Sequence, residues 1–195
     1  KGEYTIIMKV SWKDLKKLSE EQIEEHAKRI LSLMSLKQKA HQMSGDGSVI
    51  WSGLKMLIRY NKNPIVAGKD EKLGIPGVRF SDGPRGVVMG NSTCFPVSMA
   101  RGASWDVELE EKIGNVIGIE ARAQGANYFG GVCINLLRHP AWGRAQETYG
   151  EDPFLTGTLA SAFIEGLQGN DPNYLKAIAT SKHYAVHSGP EPLRH

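Results

Sequence analysis

Apolar and polar positions sort the chain into short apolar runs separated by longer amphipathic stretches. Ile23, Ala27, Ile30, Leu31 and Met34 recur at helical spacing with charges on the opposite face, which predicts an amphipathic helix. Ser19 and Gln22 supply a capping box at its start, since the two side chains can satisfy each other's free backbone N–H groups. Ser35 and Gln38 repeat the signal and predict a second short helix to about Met43. A third helix is expected over 106–124, with Leu109, Ile113, Val116, Ile117 and Ala121 as its apolar stripe. A fourth is expected over 154–167, with Ala160, Phe163, Ile164 and Leu167 facing inward and Gly166 and Gly169 marking its end. Runs at 78–81, 98–104, 132–137 and 177–181 read as strands, the last two as buried ones. Strands alternating with helices predict parallel pairing with right-handed crossovers. The expected architecture is α/β: part of a (β/α)8 TIM barrel, with its chemistry at the C-terminal ends of the strands.

Composition narrows the function classes. A hydrophobic content of 41% and a charged content of 23% are ordinary for a globular protein. The 24 basic and 21 acidic residues are interleaved, so the net charge of +3 forms no basic stripe and nucleic acid is a poor partner. No run of 18 apolar residues predicts a membrane span. Cys94 and Cys133 sit in apolar contexts and read as two buried free thiols. Asn91-Ser92-Thr93 is a glycosylation sequon, meaningful only in a secreting eukaryotic host. Gly45-Asp46-Gly47-Ser48-Val49-Ile50 imitates a dinucleotide loop, but its third glycine position holds Ile50 and no strand precedes it.

The richest stretch is Asn135 to Pro153, where an apolar run ends in a loop dense with Arg, His, Trp, Glu and Asp. It resembles the Arg-x-Pro-x-Trp-Gly-Arg-x-x-Glu-x-Tyr-x-Glu-Asp-Pro segment of glycoside hydrolase family 3, which cleaves β-linked sugars from non-reducing ends. His139 stands where the family often has Asp or Asn. Ser81-Asp82-Gly83-Pro84 is similar to the family's Ser-Asp-Gly-Pro turn, and Lys182-His183 to its Lys-His motif. The Ser188-Gly189-Pro190-Glu191 continuation occurs in its β-glucosidase and β-xylosidase members, and 31–43 is similar to its opening helices. The similarity covers about Leu31 to the end, so residues 1–30 read as an extension and the start of the first helix. Residues 31–195 then read as the N-terminal part of a (β/α)8 glycoside hydrolase domain that continues past His195.

The resemblance implies that Asp82, Arg144, Lys182 and His183 bind the terminal sugar of a β-linked oligosaccharide or glycoside. A carboxylate can accept from two adjacent hydroxyls, while Arg and Lys donate. Arg138, Trp142, His187, Glu191 and Arg194 are weaker candidates for the rim, and Trp142 reads equally as core. Glu147, Glu151 and Asp152 read equally as helix caps or as partners of Arg138 and Arg144. His183 and His187 stand four apart, but Gly189-Pro190 breaks any helix there and no His-Glu-x-x-His glutamate is present, so zinc is disfavoured. No cofactor is implied. A retaining glycosidase needs two carboxyl groups about 5–5.5 Å apart. The family places both after the Lys-His motif, so the nucleophile and the acid/base are expected beyond His195. The activity implied is hydrolysis of terminal β-D-glucosyl residues. A β-xylosidase or dual-specificity enzyme is the alternative, and a noncatalytic sugar-binding or truncated, inactive chain is the alternative from another class. A periplasmic or secreted setting is favoured over the cytoplasm, and homo-oligomerisation is left open.

Overall fold

The computed structural model describes residues 17–45, 53–54, 57, 62–184 and 187–193. The chain forms two compact units, one from the stretch up to residue 55 together with 65–78, the other chiefly from Arg79 onward.

The first unit holds helix α1 (Glu20–Leu33), helix α2 (Leu36–His41) and the short strand β1 (Ile65–Ala67), which no run of the sequence had suggested. Both capping boxes form: Ser19 with Gln22, and Ser35 with Gln38. The apolar stripe of α1 is only partly used, because Ile23 and Leu31 are exposed and Met34, just past the helix, is buried. Asp70 ties the unit together by accepting from Gln38 Nε2 at 2.9 Å and from the backbone N–H of Lys72 and Leu73. Leu73 is buried beneath that turn.

The second unit carries the sheet. Strands β2 (Val78–Ser81), β3 (Tyr128–Cys133) and β4 (Ile178–Lys182) run parallel in that order. Register pairs Cys133 with Lys182, so β3 and β4 end level, while Ser81 pairs with Phe129 and β2 ends beside the start of β3. Between them come the short helix α3 (Ser98–Gly102), α4 (Val107–Ala123) and α5 (Pro153–Gln168). Asp106 and Asp152 cap α4 and α5 by accepting from the N–H groups of Leu109 and Leu155. The core joins Val87, Met89, Ile113, Ile117, Phe129, Val132, Phe163 and Leu167. α4 and α5 approach until backbone meets backbone: a Cβ on Gly114 would lie 2.2 Å from Phe163 O, and one on Gly166 would lie 2.0 Å from Glu111 O.

Five expectations are corrected. The strand expected at 98–104 is instead the helix Ser98–Gly102 and a turn, since Ser98, Arg101 and Gly102 point inward at spacings of three and four. The strand expected at 132–137 lies at 128–133, and Ile134 to Leu137 already peel away as loop. Its Gly130-Gly131 pair resembles a strand breaker but admits the Phe80 ring and the Gly83 carbonyl, which a Cβ at either position would strike. On α4, Leu109 and Val116 are exposed while Glu110, Gly114 and Gly118 are buried, and β4 exposes Ile178. Cys94 is exposed, and only Cys133 is buried. The Gly45–Ile50 loop lies largely outside the described residues.

Candidate sugar-binding site

The site grows from the three strand ends. β2 delivers Asp82 into a tight turn. Its Oδ1 accepts from the N–H of Gly83 at 2.7 Å and from Lys182 Nζ at 2.8 Å. Gly83 has φ +131°, and a Cβ there would overlap the Gly86 carbonyl, so only glycine lets the chain turn in this way. β4 delivers Lys182, whose side chain is 14% exposed against 40% for Asp82. The Asp82 carboxylate is thus held by two donors on one oxygen and still reaches solvent.

β3 leads into the loop that carries Arg144 and Glu147. A 3-10 turn over Ala145–Glu147 places the two for a bidentate pair, Nε to Oε1 at 2.6 Å and Nη2 to Oε2 at 2.7 Å. Burial acts to raise the Glu147 carboxyl, but the Arg144 hydrogen bonds and the charges of Arg144, Lys182 and His183 outweigh it and hold the pKa below the usual value. The Glu147 hydrogen bonds raise Arg144 further, so its guanidinium is charged at any working pH. His139 shows why a His can stand where Asp or Asn is frequent: its Nδ1 accepts from the N–H of Ala141 at 3.1 Å, the local contact an Asx turn makes.

His183 follows Lys182 across a cis peptide bond. Asn135 Oδ1 meets both its backbone N and its Nδ1, each at 2.8 Å. Burial pushes the imidazole down to about 4, and the positive charges of Arg144 and Lys182 push the same way against Glu147. The ring is therefore neutral near pH 7. It stacks on His187, with centroids 4.3 Å apart, and His187 meets Trp142 edge-on at 6.0 Å.

Asp82, Arg144, Lys182 and His183 are therefore gathered at one end of the sheet, each within electrostatic reach of others in the group. Trp142 is 2% exposed and belongs to the core. Arg138 is exposed, and Glu191 opens a final 3-10 turn. Arg194 lies outside the described residues. Of the acidic residues with two readings, Glu147 pairs with Arg144 and Asp152 caps α5. Asn135 escaped notice as a site residue, because a lone Asn three residues before Arg138 carries no signal of its own.

The fold is a parallel α/β sheet with a mixed set of hydrogen-bond donors and acceptors after its strands, the arrangement of an α/β enzyme domain. The model of the glycosyl hydrolase family 3 N terminal domain matches residues 47–191, and the chain belongs to that family. It is 38% identical over 154 residues to beta-glucosidase B of Emericella nidulans, covering 72% of this chain and 18% of that protein. It is 41% identical over 123 residues to a xylan 1,4-beta-xylosidase of Xylanibacter ruminicola, covering 55% and 14%. Among solved structures it is similar to beta-glucosidase 3B from Thermotoga neapolitana in complex with alpha-D-glucose. The TM-score there is 0.67 at 26% identity, covering 83% of this chain and 23% of that one. These family 3 structures contain a TIM-barrel domain, and the βαβ order here is part of that fold. The chain spans less than a fifth of the length of the curated relatives named.

Proposed function

We propose that the protein carrying this chain hydrolyses terminal non-reducing β-D-glucosyl residues by a retaining mechanism, and that Asp82, Arg144, Lys182 and His183 hold the terminal sugar. The observation that carries this is the convergence of the four groups from three strand ends, with Asp82 bonded to Lys182 and still open to solvent. Asp82 takes sugar O–H donors. Lys182 and Arg144 give hydrogen bonds to hydroxyl oxygens. The nucleophile and the acid/base are two further carboxyl groups of the whole protein, outside this set of four. They act at the anomeric carbon and the leaving oxygen while this region fixes the ring.

Similarity to the Xylanibacter xylosidase favours a second reading, a β-xylosidase or an enzyme taking both sugars. Paired rates on matched aryl glucosides and xylosides separate the two, because the difference is room for one hydroxymethyl group.

The test is Asp82→Ala in the full-length protein. Turnover of an aryl β-glucoside should fall by at least about 100-fold, since the bonded hydroxyls and the Lys182 ammonium lose a charged partner. Near-normal kinetics would overturn the site. Sugar binding without turnover by the wild-type full-length protein would instead support a noncatalytic module.

A further inference from the structure

We infer that Asn135 is a positioning residue that fixes His183 as the neutral Nδ1–H tautomer, leaving Nε2 as an acceptor that selects a hydroxyl donor on the ligand. This rests on the sugar-site reading above and adds a polarity rule to it.

The tautomer follows from a group that has only one role. The backbone N–H of His183 can donate but never accept, and it lies 2.8 Å from Asn135 Oδ1. That contact fixes the amide with its oxygen toward His183. His183 Nδ1 lies at the same distance from the same oxygen. Two acceptors do not sit at hydrogen-bond distance without a proton between them, so Nδ1 carries it. Cys133 Sγ, 3.5 Å from this oxygen and 3.9 Å from Nδ1, adds a weak donor to the same acceptor. Burial pushes that thiol up, so it keeps its proton. One side-chain oxygen thus locks the backbone, the ring and the thiol together.

The groups facing the ring are Lys182 on its own strand, Arg144 and Glu147 from the loop after β3, Cys133 at the end of β3, and His187 in the loop after β4. The positive charges outweigh Glu147, so the ring resists a second proton. The four groups then divide evenly. Asp82 and His183 accept, while Lys182 and Arg144 donate. At His183 the ligand must present an O–H. A fluorine in its place offers no proton, whereas a donor-lined position tolerates the swap better.

The experiment uses the full-length protein and the variants Asn135→Ala and Asn135→Asp, with kcat/KM on an aryl β-glucoside measured from pH 5 to pH 8. The 15N shifts of His183 are read in selectively labelled protein. Wild type should show the Nδ1–H signature. Asn135→Ala should lose that signature and fall about 10- to 100-fold at every pH, because Nδ1–H is left without its acceptor. Asn135→Asp keeps an acceptor and should lie within about threefold of wild type at pH 8. Its carboxylate also favours the imidazolium, so its activity relative to wild type should fall away toward pH 5. Wild-type shifts of the Nε2–H form would overturn the inference. So would two variants depressed equally with the wild-type pH shape, the result a purely structural Asn135 gives. If Asp82→Ala leaves turnover intact, the sugar-site reading fails, while the 15N shifts still decide the tautomer.

Discussion

Arg101→Met tests how the site loops are held. Arg101 and Glu110 are buried, with side chains 3% and 2% exposed, and form an ion pair at 3.0 Å. Tyr149 donates its hydroxyl to the same carboxylate. The guanidinium also donates to the Pro84 carbonyl at 3.1 Å and lies over the Phe163 and Tyr149 rings. Pro84 is two residues from Asp82, and Tyr149 two from Glu147, so one buried cation pins both loops that carry the site. Removing it leaves Glu110 buried beside Tyr149 alone, a change that costs about 3–5 kcal/mol. Burial already raises the Glu110 carboxyl against the pull of Arg101, and without Arg101 it rises further. A group with a raised folded pKa contributes fully below its unfolded value, roughly 4.3, and loses that contribution as pH rises through the folded value. Arg101→Met should therefore be less destabilised at pH 5 than at pH 7.5. The assay is urea unfolding of the full-length protein followed by tryptophan fluorescence. Arg101→Met with Glu110→Leu removes both charges and should recover at least half of the loss, with the Pro84 carbonyl and Tyr149 hydroxyl costing about 1 kcal/mol each. A single-variant cost under about 1 kcal/mol, or a double variant no better than the single, would refute the reasoning.

Gly166→Ala should cost about 1–3 kcal/mol, because its Cβ would sit 2.0 Å from Glu111 O and must part the two helices. The same urea titration measures it, and a neutral result would mean that α4 and α5 are not in backbone contact. Glu147→Gln should lose on the order of 1 kcal/mol at pH 7, a modest figure because the Arg144 side chain is 34% exposed. The folded pKa of Glu147 is lowered, so its contribution is present above the unfolded value and lost as pH falls through the folded one. The gap between wild type and variant should close below about pH 4. Lys182→Met should raise KM for the glucoside and free Asp82 from its 2.8 Å partner, and an unchanged KM would remove Lys182 from the site.

The parts legible in the sequence are those written in local chemistry. Ser19 with Gln22 and Ser35 with Gln38 are complete helix signals within four residues, and both helices begin there. Asp82-Gly83-Pro84 can hardly be anything but a turn, and Asp82 stands where a parallel strand ends. The misses depend on partners far along the chain. Gly130-Gly131 suits a strand only because Phe80 and Gly83 crowd it, and a window of six residues cannot contain that fact. Ser98–Gly102 form a helix because Arg101 finds Glu110 and the Pro84 carbonyl. Exposure of Leu109 and Val116 alongside a buried Glu110 follows from the same ion pair, which rotates the inward face of α4 away from its apolar stripe. Asn135 gains its role from His183, 48 residues away.

The most direct measurement is a crystal structure of the full-length protein soaked with glucose. A hydroxyl of the ring should lie within hydrogen-bond distance of each of the Asp82 carboxylate, Lys182 Nζ, the Arg144 guanidinium and His183 Nε2. A sugar bound elsewhere, with these four groups still occupied only by one another, would contradict the site.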